Sequence, residues 1–127
     1  RGVYVELILP HVPDKKFAFA LAKGHYRELL DAGVKIYEYT PGFVHAKVFV
    51  SDDRKAVVGT INLDYRSLYL HFECGVWMCD TPAIADMKAE YLSELERSAP
   101  ITEELCLQQR RGRRLIRAVL RTLAPLF

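Results

Sequence analysis

The chain has 127 residues, 50% of them hydrophobic, with 18 basic and 16 acidic side chains and a formal charge of +2. That length supports one domain with a real core, and the sequence shows neither an internal repeat nor a low-complexity segment. No signal peptide is visible, and no apolar run approaches the ~20 residues that a membrane-spanning helix needs.

In chain order, residues 3–9 predict a buried strand. Asp14 is placed to cap a helix over residues 15–31, and Gly33 to stop it. Residues 35–39 predict the next strand, which makes a βαβ unit. Pro41-Gly42 turns the chain into a strand over residues 44–50. After the turn Asp52-Asp53-Arg54, further strands are expected over residues 55–59 and 70–78. Thr81-Pro82 suits the N-cap and first position of a helix over residues 82–97. The expected fold class is α/β, a mixed and mostly parallel sheet flanked by helices. Residues 1–98 are expected to form the catalytic part and residues 99–127 a basic tail. Because the chain opens on Arg1 and enters a strand almost at once, it is expected to be a piece of a longer protein. Cys74, Cys79 and Cys106 are odd in number and lack zinc spacing, and Cys74 and Cys79, in or beside an apolar strand, read as buried free thiols. No set of His, Cys and carboxylate residues has metal-ligand spacing, and neither a metal nor another cofactor is expected.

The segment His45-Ala46-Lys47-Val48-Phe49-Val50-Ser51-Asp52 has the pattern H-x-K-x-x-x-x-D. On a strand, alternate side chains share a face, so His45 and Lys47 point one way and Ala46, Val48 and Val50 the other, where they can bury. An imidazole beside an ammonium makes a poor core and a good site for a phosphate ester. The imidazole can attack phosphorus and form a covalent intermediate. The lysine can stabilise the charge that builds on the other phosphate oxygens. Thr60 and Asn62 again share a face and can donate to phosphate oxygens, and Gly59 lets the backbone come close. Asp52 is a candidate catalytic residue by its place in the motif, although a turn residue is its stronger reading. Asp64, Arg66 and Ser67 either line the site or form a local salt bridge and helix cap.

The full set, H-x-K-x4-D followed by Gly59-Thr60-Ile61-Asn62 and then Glu73, resembles the signature of the phospholipase D superfamily. Two longer stretches resemble the second half of bacterial cardiolipin synthases. They are Tyr37-Glu38-Tyr39-Thr40-Pro41-Gly42-Phe43 and Asn62-Leu63-Asp64-Tyr65-Arg66-Ser67-Leu68-Tyr69-Leu70-His71-Phe72-Glu73. The resemblance implies a phospholipase D-like half with catalytic residues His45, Lys47, Asp52 and Glu73, and with Thr60 and Asn62 on the substrate phosphate. It assigns Glu73 to hydrogen-bond the His45 ring and orient it. It implies a phosphatidyltransferase that joins two phosphatidylglycerol molecules into cardiolipin and releases glycerol, without a metal. That superfamily builds one site from two such motifs, and this chain has one. The partner is then an N-terminal half of the same protein or a second copy of this chain, and the place of work is the cytoplasmic face of the cell membrane. The alternative is a one-motif phosphodiesterase or nuclease that completes its site by homodimerisation. The few basic residues near the motif argue against nucleic acid as a partner.

The charge is unevenly placed. From Arg110 onward there are six arginines and no acidic residue, which leaves a formal −4 on the preceding 109 residues. Leu115, Ile116, Val119, Leu120 and Leu123 recur at helical spacing in this block. Such a helix suits a membrane interface, with Leu120 among the apolar contacts and Arg113, Arg114, Arg117 and Arg121 on anionic headgroups such as phosphatidylglycerol. A terminal helix packed on the domain is the competing reading.

Overall fold

The structure is a computed structural model and describes residues 2–107. Its elements are β1 (Glu6–Pro10), α1 (Lys16–Asp31), β2 (Lys35–Tyr39), β3 (Val48–Ser51), β4 (Lys55–Gly59), a π-type turn (Arg66–Leu70), β5 (Gly75–Cys79), α2 (Ala83–Glu96), β6 (Ser98–Pro100) and α3 (Glu103–Leu107). The described residues fall into two compact units, one of residues 2–44 with residues 97–107, the other His45–Glu96. The membrane-contact candidates Arg113, Arg114, Arg117, Leu120 and Arg121 lie outside the described residues. Among the described residues, no helix is long and apolar enough to cross a membrane.

The first unit holds a sheet of order β1-β2-β6. β1 and β2 run parallel, in register from Glu6↔Lys35 to Pro10↔Tyr39, and α1 makes the crossover between them. β6 adds to β2 antiparallel, with Tyr37 opposite Pro100. The expected α/β class holds, but parallel pairing is limited to β1 and β2, less than the sequence suggested. The tail expected from residue 99 begins within β6, and β6 and α3 both belong to this unit.

Helix α1 ends as its sequence requires. Gly33 takes φ +88°, and the amides of Gly33 and Val34 return to the carbonyls of Leu30 (2.8 Å) and Leu29 (2.9 Å). That is a Schellman stop, and its positive φ favours glycine. The expected cap at the other end is absent. Lys15 is the N-cap, with no side-chain hydrogen bond, so Asp14 does not close this helix. The first turn is held by the Phe19 amide on the Lys15 carbonyl at 3.1 Å.

Ile36 and Glu38, two residues apart on β2, share the buried face, and Tyr26 of α1 is buried with them. A buried carboxylate needs partners. Glu38 accepts from Tyr26 Oη at 3.1 Å, pairs with Lys23 Nζ at 3.0 Å and hydrogen-bonds His11 Nδ1 at 2.8 Å. Burial pushes its pKa up, and the bonds from His11, Lys23 and Tyr26 together outweigh burial and hold it below the ordinary carboxylate range.

The second unit is an antiparallel sheet of order β3-β4-β5 with α2 against β3. Asp52 and Asp53 both take positive φ, 53° and 56°, and the Arg54 amide donates to the Ser51 carbonyl at 3.1 Å. This is the type I′ geometry whose twist matches a hairpin. Arg54 clamps Asp80 through two bonds, 2.8 and 2.9 Å, and so ties the hairpin to the end of β5. Lys88 of α2 pairs with Asp53. Ala56 and Ile84 are the buried apolar residues of this unit. Val48 and Val50, expected to bury, are exposed, and the two cysteines expected to bury do not: Cys74 is exposed and Cys79 partly so.

Glu38 supplies a test of the first unit. Glu38→Ala should cost about 2 kcal/mol by leaving its donors unsatisfied, which appears as roughly thirty-fold faster hydrogen exchange of β2 amides. Because the folded pKa is depressed, the carboxylate's contribution is complete above the unfolded value of about 4.3 and fades as pH falls through the folded value. Glu38→Gln should flatten that acid limb, and an unchanged limb would contradict the network's role.

Candidate active site

His45 and Lys47 stand just before β3, where sequence reading had placed them inside the strand. The ladder still reaches Lys47, whose carbonyl accepts from the Gly59 amide at 3.2 Å. Val48↔Val58↔Val76 form one row of the sheet, and Gly59 is opposite Gly75. Continuing that register, the row of Lys47 is Lys47–Gly59–Gly75, so no neighbouring side chain crowds the lysine across its row. Gly59 is required by a close approach: a Cβ there would collide with the Cys74 carbonyl oxygen and lie 2.6 Å from Gly75 Cα. The Lys47 ammonium donates to the His45 carbonyl at 2.8 Å.

Thr60 continues from β4, and Glu73 lies two residues before β5. The Thr60 hydroxyl donates to Glu73 Oε2 and accepts from the Cys74 amide at 3.1 Å, while the Thr60 amide donates to the Cys74 carbonyl at 2.9 Å. One side chain thereby fixes the carboxylate on the adjoining strand. The Thr60 bond, then a bond from Ser67, holds Glu73 below the ordinary carboxylate range, with the Lys47 ammonium adding to the shift. Thr60 and Ser67 bond to Glu73, and Lys47 and His71 lie close enough to influence it.

The π-type turn shapes the other side of this cluster. Asp64 Oδ1 accepts from the Ser67 amide at 2.7 Å, and the His71 amide closes the turn on the Arg66 carbonyl at 2.9 Å. Of the two readings for Asp64, Arg66 and Ser67, the local one is met by this Asp64–Ser67 bond, while a salt bridge of Asp64 to Arg66 is not among the ion pairs of the described residues. Arg66 instead donates through Nε to His71 Nε2. Asn62 is exposed between Thr60 and the turn.

Asp52 does not join the cluster. It sits in the hairpin at the far end of β3, roughly 20 Å of extended chain from His45, where it accepts from the Ser51 hydroxyl at 3.0 Å. His71 is the member that sequence reading left without a role. Its signal was available: two residues before Glu73 on extended backbone, a side chain falls on the same side. Among the described residues, no cluster of three or more His, Cys and carboxylate residues is placed to hold a metal.

Comparison with known proteins follows the same lines. A family model described as "Cardiolipin synthase, PLD-like domain" matches residues 1–95. An uncharacterized protein of Streptococcus mutans is 56% identical over 127 residues, 100% of this chain and 28% of its own. Proteins named cardiolipin synthase 2 in Bacillus anthracis and cardiolipin synthase in Geobacillus sp. are 40% and 38% identical, each over 99% of this chain and over 24% and 25% of their own. The chain spans about a quarter of the length of the curated relatives it matches. No solved structure matches it.

Two substitutions test this geometry. Thr60→Val removes the strongest influence that depresses Glu73, so the Glu73 carboxyl should titrate higher, toward its ordinary value, when followed by carbon NMR. Gly59→Ala should force the two strands apart and destabilise the unit by about 1–3 kcal/mol, as overpacking does, read by chemical denaturation.

Proposed function

The chain belongs to the cardiolipin synthase, PLD-like domain family, and from that premise we propose that it carries one half of a phosphatidyltransferase site that makes cardiolipin from two phosphatidylglycerol molecules. The observation that supports this best is the cluster on Glu73, an ionised carboxylate anchored by hydroxyls with Lys47 in reach, in the same unit as His45. Transfer needs two histidines. The nitrogen of one attacks phosphorus, a P–N bond forms, and the P–O bond to glycerol breaks. The second histidine gives its proton to the departing alkoxide, so glycerol leaves neutral. It then takes the proton from the hydroxyl of a second phosphatidylglycerol, whose oxygen attacks phosphorus as the P–N bond breaks. His45 is one of these two. The other comes from the N-terminal half of the same protein or from a second copy of this chain.

Glu73 orients the imidazole of His45 by accepting a ring N–H, which leaves the other nitrogen for the reaction. Thr60 holds Glu73 in place, and its hydroxyl also stands beside the phosphate. Lys47 and Asn62 bind the non-bridging oxygens. Asp52 acts on the hairpin and not on the reacting phosphorus. A lipid substrate agrees with the exposed apolar side chains beside this cluster, Leu68, Tyr69, Leu70 and Phe72. The arginines of the tail, Arg113, Arg114, Arg117 and Arg121, with Leu120, meet anionic phospholipid at the cytoplasmic face of the cell membrane.

The test is cardiolipin formation on phosphatidylglycerol vesicles by the protein in the full length in which it is encoded. His45→Ala and Lys47→Ala should each lower the rate by about 100-fold or more. Undiminished product from His45→Ala would overturn the reading. The isolated 127-residue chain is expected to give no product until the other half is added.

A further inference from the structure

Arg66 and His71 lie outside the histidine–lysine signature, and the reaction above does not use them. They are joined twice across the π-type turn, through the His71 amide on the Arg66 carbonyl at 2.9 Å and through Arg66 Nε on His71 Nε2. A histidine that accepts at Nε2 is neutral and carries its proton on Nδ1. The pair therefore presents only donors outward: Nδ1–H and the rest of the guanidinium. Arg66 is exposed, and among the described residues it makes no ion pair with a carboxylate. Arg54 of the same unit is different, since both arms of its fork are spent on Asp80. An arginine steadied through Nε with its fork open is prepared for a phosphate or carboxylate.

Its neighbours define which anion. Ser67 of the same turn is bonded to Glu73, and Lys47 acts electrostatically on that carboxylate. The cluster thus has two cationic points, Lys47 and Arg66. Lys47 meets the need of the phosphate under attack. The acceptor lipid brings a second diester, separated from its attacking hydroxyl by the carbons of one glycerol. A site for that diester must stand near the reacting phosphorus without occupying it.

We propose that the Arg66–His71 pair binds the phosphate diester of the acceptor lipid and so selects an anionic acceptor. The inference rests on the phosphatidyl transfer proposed above. Two reactions of the full-length protein on phosphatidylglycerol vesicles separate the steps. Cardiolipin formation needs the anionic acceptor, whereas exchange of labelled glycerol into phosphatidylglycerol uses the same histidine intermediate with a neutral acceptor that has no phosphate. Arg66→Gln should lower cardiolipin formation about 10- to 100-fold, the range for a charge-assisted hydrogen bond, with a higher half-saturating lipid fraction and with glycerol exchange retained. Arg66→Lys should recover part of the loss, because it restores the charge without the fork. Retained exchange also shows that the variants fold. Equal loss of both reactions would overturn the inference, because the pair would then serve the transferred phosphate or the fold. Loss of neither would overturn it as well. Inhibition by inorganic phosphate that Arg66→Gln relieves, with cardiolipin formation otherwise normal, would assign the pair to free phosphate and also overturn it. An unsubstituted protein that gives neither product overturns the transfer itself, and this inference with it.

Discussion

The hydroxyl of Thr60 donates its proton to Glu73 and accepts the Cys74 amide, and the rest of the cluster follows from that position. It can reach both because the strands are close there, and they are close because Gly59 has no Cβ to set against the Cys74 carbonyl. A larger residue at 59 would part the strands and release the carboxylate. Lys47 lies in the same row, opposite Gly59, so one missing side chain serves the approach of the strands and the open space beside the ammonium.

The two carboxylates that matter most, Glu38 and Glu73, are held ionised in different ways. Glu38 is buried, and burial alone would favour its neutral form. Three donors reverse that, two of them from α1, which binds helix to sheet. Glu73 is held mainly by two hydroxyls, with the Lys47 ammonium as a lesser influence. Hydroxyls fix a carboxylate without discharging it, so its charge stays available to a ring N–H or to a nearby cation. The first arrangement suits architecture, and the second suits chemistry.

Several local features were legible because their causes are local. Lys35–Tyr39 and Lys55–Gly59 form where β-rich runs end at turn residues, and Gly33 stops α1 because a left-handed position favours glycine. Other expectations met competition. Asp14 is next to a helix start it does not cap, since backbone bonds from Lys15 hold that turn instead. The strand expected from residue 70 begins only at Gly75, because the turn Arg66–Leu70 holds the chain through Leu70 with bonds from the Ser67 amide to Asp64 and from the His71 amide to Arg66. Ser98–Pro100 carries little strand signal of its own and pairs only because β2 offers it an edge.

Spacing in the sequence by itself singled out the candidate residues, because on extended backbone a period of two puts His45 with Lys47 and Thr60 with Asn62. It also determined the α/β class, since apolar periodicity and turn residues act over a few positions. Only the tertiary structure decided what Glu73 touches, that Arg66 pairs with His71 rather than Asp64, and that Asp52 stays at the far end of its strand. These outcomes depend on register between strands and on the path of one turn. Both are settled by hydrogen bonds between residues distant in the chain, which no local pattern specifies.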